Sequence, residues 1–112
     1  VIQPPKNQAE WLLYLADLAE KHPLEMITPE GTFLQLSFVE FLRSAGSTGT
    51  PSLDLQADLI TMLPRFCMAL LQAEHGGDAC KSCGARLAGM IFNEIVQHQR
   101  ELAARQNTGG VH

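Results

Sequence analysis

Clustered positive charge is missing from this chain. Lys and Arg together number 8 against 12 Asp and Glu, for a net charge of −4, and no run of basic residues occurs. That balance counts against non-specific nucleic-acid binding, which draws on clustered cations to displace counterions from phosphates. Arg86, Arg100 and Arg105 are spread out and interleaved with Glu94 and Glu101, the pattern of a solvated helix face. Long apolar runs are missing too. No stretch approaches the ~18 uninterrupted apolar residues of a membrane-spanning helix. Val1 to Lys6 lacks the regions of a signal peptide. Val rather than Met stands first, which fits a processed chain or a domain of something longer.

Cysteine is sparse. Three cysteines are an odd number and too few for a secreted disulfide scaffold. This favours a reducing, cytoplasmic setting with thiols free or metal-bound. The familiar catalytic signatures are also missing. There is no Ser-centred nucleophile motif, no phosphate-cradling glycine loop and no His-Glu-x-x-His. Gly76-Gly77 follows a predicted helix rather than a strand, so it reads as a turn. No internal repeat is present.

What is there is apolar content: 46% of the 112 residues are hydrophobic, enough for one domain over 1–112 with a core of its own. The expected fold is mainly α, with four to five helices, a C-terminal helical hairpin and a short β-hairpin at 24–36. Pro4-Pro5 makes residues 1–7 an extended leader. A first helix runs from about Gln8 to His22, with Trp11, Leu12, Leu15, Leu18 and Ala19 as its apolar stripe, and Pro23 ends it. Pro29-Glu30-Gly31 between apolar flanks is turn chemistry and predicts the β-hairpin. The competing reading caps a helix at Thr32. Ser37 and Glu40 match a capping box, which starts a second helix at Ser37 and ends it near Gly46. Residues 44–50 then form a flexible loop.

Pro51 suits a first helical position after a Thr50 cap. The third helix runs to about Glu74, with a kink or a break near Ile60 to Pro64, because Pro64 has no backbone donor and crowds the preceding turn. Gly76-Gly77 ends it. Asp78 caps a fourth helix running from Ala79 to about Gln106, with Leu87, Met90, Ile91, Ile95, His98 and Leu102 as its buried stripe. Gly84, Ala85, Ala88 and Gly89 form a small-residue patch that permits close helix approach. Residues 107–112 read as a frayed tail.

All three cysteines and one histidine fall in the pattern Cys67-x7-His75-x4-Cys80-x2-Cys83. On the helical-hairpin reading, Cys67 lies about 12 Å before the Gly-Gly turn at 1.5 Å per residue. Cys83 lies at a similar height beyond it. Three readings stay open. In the first, Cys67, His75, Cys80 and Cys83 hold a structural zinc that clamps the hairpin, a Cys3His shell being an ordinary one. In the second, Cys80 and Cys83 are a redox pair in the first turn of a helix, where backbone donors and Lys81 favour a thiolate. Cys67–Cys83 is then an alternative switch, closing a loop of about sixteen residues worth roughly 3 kcal/mol. In the third, the cysteines pack as small hydrophobes. His98, one turn after Glu94, reads as a buried or half-buried histidine. Asp54 and Asp58 read as partners of a helix N-terminus rather than as ion ligands.

These observations predict a small non-enzymatic interaction or regulatory module. It meets a protein partner, or a second copy as a homodimer, through apolar helix faces, and a structural zinc fixes its C-terminal hairpin. The alternative is a thiol-redox protein or switch using Cys80 and Cys83.

Overall fold

The computed structural model describes residues 3–109. Among them are four α-helices and no strand: α1 (Gln8–Lys21), α2 (Pro29–Thr48), α3 (Ser52–Glu74) and α4 (Lys81–Gly109). Among the described residues no helix is long and apolar enough to cross a membrane. The chain divides into two compact units, one up to Ile60 and one from Thr61 onward. The ends of the leader and tail, Val1, Ile2 and residues 110–112, lie outside the described residues.

In the first unit, α1 starts on Asn7, whose side-chain oxygen accepts the Glu10 N–H at 2.9 Å. The Glu10 carboxylate in turn accepts from the Asn7 amide at 3.2 Å. The first bond satisfies one backbone donor that the helix's first turn leaves orphaned, and the second, between side chains, holds the Asn7 amide in place.

The expected β-hairpin at 24–36 is not formed. Thr28, in extended backbone, accepts the Gly31 N–H on its hydroxyl at 2.9 Å, and Pro29 occupies the first helical position. Pro-Glu-Gly is therefore the start of a helix rather than the tip of a hairpin. The backbone that a hairpin would have paired is satisfied otherwise. The Gln35 side chain accepts the Leu24 N–H and donates to the Leu24 carbonyl. The cap is Thr28, not Thr32, and Ser37 lies inside α2 rather than at its start. Nor is 44–50 a loop. The helix continues to Thr48 and ends on Gly49 at φ 71°, with the Thr50 N–H reaching back to the Ala45 carbonyl at 3.1 Å. That is the six-to-one bond of a Schellman ending.

The α1–α2 contact is made by small residues. A Cβ on Gly46 would stand 2.7 Å from Leu13 Cγ and 2.9 Å from the Ala9 carbonyl oxygen. Ala16, Val39, Ala45 and Gly46 are buried, with Ala9, Leu12, Leu13 and Ala19 half-buried beside them. The stripe expected for α1 is therefore rotated. Trp11, Leu15 and Leu18 are exposed, because close backbone approach selects the alanine face. Arg43 on α2 adds a polar tie, pairing with Asp17 and Glu20 of α1 at 3.1 Å each and with Glu40 at 3.3 Å.

In the second unit, the C-terminal part of α3 and the N-terminal part of α4 line one apolar groove of about 340 Å³. Leu71 is the buried residue there, and Met68 Sδ lies 3.7 Å from where a Cβ of Gly84 would be. α3 runs unbroken through Pro64, not as two helices. The carbonyl that Pro64 leaves without its helical donor is that of Ile60, the residue that closes the first unit. α4 begins at Lys81, later than expected. The Cys80 carbonyl accepts the first helical bond, from the Gly84 N–H at 3.0 Å, two residues beyond the anticipated Asp78 cap. On α4, Leu87 and Ile91 are half-buried, while Met90, Ile95, His98 and Leu102 of the expected stripe are exposed. The helix continues to Gly109, into the segment expected to fray.

Candidate metal centre

The end of α3 is built to turn sharply. Gly76 and Gly77 have φ of 66° and 101°, a region that side chains with a Cβ rarely adopt. The Gly77 N–H donates to the Gln72 carbonyl at 2.6 Å, and the Gln72 amide donates to the Gly77 carbonyl at 3.3 Å. The His75 N–H still bonds the Leu71 carbonyl at 3.0 Å, so His75 is fixed to the end of the helix. Residues 78–80 are spent in the connection. Cys80 then sits immediately before α4, and Cys83 one turn further along the same face.

This arrangement brings His75, Cys80 and Cys83 together as a group that could hold a metal ion. One ligand atom from each lies within 4.8 Å of the other two. Two sulfurs each about 2.3 Å from a tetrahedral zinc stand about 3.8 Å apart, so bringing the two sulfurs onto one ion needs a contraction of at most about 1 Å. A second observation points the same way: His75 Nε2 is buried and has no hydrogen-bond partner. A buried ring nitrogen without a partner carries a desolvation cost that a metal bond would remove.

Cys67 stands outside this group. It is half-buried on α3 and lines the apolar groove with Leu63, Pro64, Met68, Leu71 and Leu87. The separation follows from the late start of α4. Residues 78–80 add no helical rise, so Cys83 stays beside the turn, near His75. Cys67 remains two helical turns back along α3.

The electrostatics of the pair are unequal. The Cys80 thiol is lowered to about 7, first by the Ser82 hydroxyl and then by the Cys83 backbone N–H and thiol, with His75 adding to the effect. Ser82 Oγ lies 3.5 Å from Cys80 Sγ. Cys83 is pushed up, first by its hydrogen bond to Cys80 and then by desolvation; Glu74 raises it further and Arg86 opposes. The two thiols are thus inequivalent, and Cys80 is the readier thiolate. The cysteine spacing did not reveal Ser82. Its signal is a hydroxyl two residues past a cysteine at a helix start, where its side chain folds back on the sulfur.

The other candidate residues do not join a site. His98 is exposed, not buried, and its nearest acidic partner is Glu101 at 3.8 Å rather than Glu94. Asp54 and Asp58 belong to no metal-ligating group among the described residues. No protein-family profile matches the chain, and neither does a curated protein or a solved structure.

Proposed function

We propose that this chain is a small non-enzymatic helical interaction module. Its apolar helix faces meet a protein partner or a second copy, and a zinc ion held at His75, Cys80 and Cys83 stiffens the C-terminal turn. One observation supports the interaction role above the rest. A chain that is 46% hydrophobic buries only Ala16, Val39, Ala45 and Leu71 among its described apolar residues. None of its large side chains is fully buried. α2 shows this most clearly. One face packs on α1, while Phe33, Leu34, Phe38 and Phe41 on the other are exposed, Phe33 to 72%. In the second unit Phe66, Leu70 and Phe92 are likewise exposed. Surface of this kind marks sites of association.

The test is sedimentation of the purified, tag-free chain over a wide concentration range, together with binding of a hydrophobic dye. Concentration-dependent self-association, or dye binding by a folded monomer, supports the reading. A monomer that melts cooperatively and binds no dye would sink it.

A second reading, thiol-redox exchange, draws on the lowered Cys80 thiol beside Cys83. Zinc and redox make opposite demands on the same sulfurs. A chain purified under reducing conditions with about one zinc per protomer, its thiols masked until chelation, favours the structural ion. Metal-free protein with a reversible Cys80–Cys83 disulfide favours the redox role.

A further inference from the structure

The group at the end of α3 is one donor short of a closed structural zinc shell. Structural zinc is almost always four-coordinate with four protein ligands, whereas three protein ligands leave a position for something else. Among the described residues the candidates are few. Cys67 is committed to the apolar groove two turns away. Glu74 lies near enough to raise Cys83 yet stands outside the ligand group, and Asp78 stands outside it too.

The surroundings leave room for a visitor. His75, Cys80 and Cys83 are each only half-buried. Beside them, the directions in which Gly76 and Gly77 would carry side chains are empty for 4 Å. The turn that follows His75 therefore carries two successive residues with no side chain and open space where one would stand. Charge and softness then select the guest. Two thiolates already neutralise a divalent ion and make it a soft centre, which prefers sulfur or imidazole nitrogen to a carboxylate.

We propose that an ion held by His75, Cys80 and Cys83 keeps its fourth coordination position open and takes there a thiolate or imidazole donor from outside the chain. This rests on the metal reading above. The donor has two sources: a small thiol or imidazole in solution, or a Cys or His of a second copy.

Cobalt reports on both the metal and the open position. One equivalent of Co²⁺ is added to the reduced, tag-free chain, followed by imidazole or 2-mercaptoethanol. The expected result is a thiolate-to-cobalt charge-transfer band, with visible bands that shift saturably as the donor is added. Cys67→Ser and Glu74→Gln should respond as the wild type does. Failure to develop the charge-transfer band overturns the metal reading and this inference together. A strong charge-transfer band with visible bands indifferent to either donor overturns this inference alone. So does loss of charge-transfer intensity in Cys67→Ser, which would make Cys67 the fourth ligand. Sedimentation of the cobalt-loaded chain separates the sources. A cobalt-dependent dimer dissolved by imidazole assigns the donor to a second copy, and a cobalt-loaded monomer that binds added donor assigns it to a small molecule.

Discussion

The Ser82 hydroxyl lies 3.5 Å from the Cys80 sulfur, across the first turn of α4. It is the largest of the influences that lower the Cys80 thiol to about 7. In the metal-free, reduced chain, alkylation of Cys80 by iodoacetamide should therefore rise with a midpoint near pH 7. Ser82→Ala should move that midpoint up toward the ordinary thiol range of about 8.5. Cys83, raised first by its hydrogen bond to Cys80 and then by desolvation, should react later in both. The sign for stability follows. The folded chain favours this anion, so the thiolate's contribution is complete above the thiol's unfolded value and is lost as pH falls through about 7. Alkylation followed by peptide mapping checks the order. Equal reactivity of Cys80 in wild type and Ser82→Ala would remove the hydroxyl from the account.

An ion held at His75, Cys80 and Cys83, as proposed, should stabilise the second unit. If the native turn binds zinc and the unfolded chain does not, free zinc at a hundred times its Kd adds about 2.7 kcal/mol. A chelator should reverse that gain. His75→Ala should lower zinc affinity by at least about tenfold, the lower end of what even indirect changes around a metal cost. Cys67→Ser should leave affinity unchanged. Thermal melts with and without zinc, read alongside a competitive zinc titration, separate these outcomes. A melting temperature that ignores zinc and chelator in the wild type would show that no ion is held.

Much of this was legible from residue order alone. Helical periodicity and Pro23 placed α1, and Gly76-Gly77 placed the end of α3. The spacing of His75, Cys80 and Cys83 already brought three side chains of metal-ligating type together, and the structure groups them. Three things were not legible. Pro29-Glu30-Gly31 carries the same residues whether it turns a hairpin or opens a helix. The choice was made by Thr28 as cap and by Gln35, whose side chain, seven residues on, holds the Leu24 backbone. Placing Cys67 failed for a different reason. Counting residues on both sides of a turn assumes that helix begins at once on the far side, and α4 begins only at Lys81. The rotated face of α1 shows a further gap. Hydrophobicity pointed to Trp11, Leu15 and Leu18, but the partner helix offers Gly46, and small surfaces approach most closely.

The Thr28 cap makes the start of α2 testable. Thr28→Ala removes the acceptor of the Gly31 N–H and should cost about 0.5–2 kcal/mol. Thr28→Ser keeps the oxygen and should cost much less. Thr32→Ala touches no capping contact and should be close to neutral. Chemical denaturation of the three variants ranks them. Equal losses at positions 28 and 32 would contradict the placement of the cap.

One substitution at two glycines should give opposite signs. On Gly46 a methyl group meets Leu13 Cγ at 2.7 Å and the Ala9 carbonyl oxygen at 2.9 Å. Neither side gives way easily, since one is packed and the other is helix backbone. Gly46→Ala should therefore force α1 and α2 apart and cost about 1–3 kcal/mol. Gly89 lies inside α4 with nothing within 4 Å of its would-be Cβ. There the methyl meets no resistance, and alanine lowers the backbone entropy lost on forming the helix. Gly89→Ala should stabilise by about 0.5–1 kcal/mol. If a second copy packs on the small-residue face that Gly89 shares with Ala85, that gain should shrink or reverse with rising protein concentration, because the methyl would then meet the partner's helix. Melting both variants at low and high concentration reads the close contact within the first unit from Gly46 and the association of α4 from Gly89.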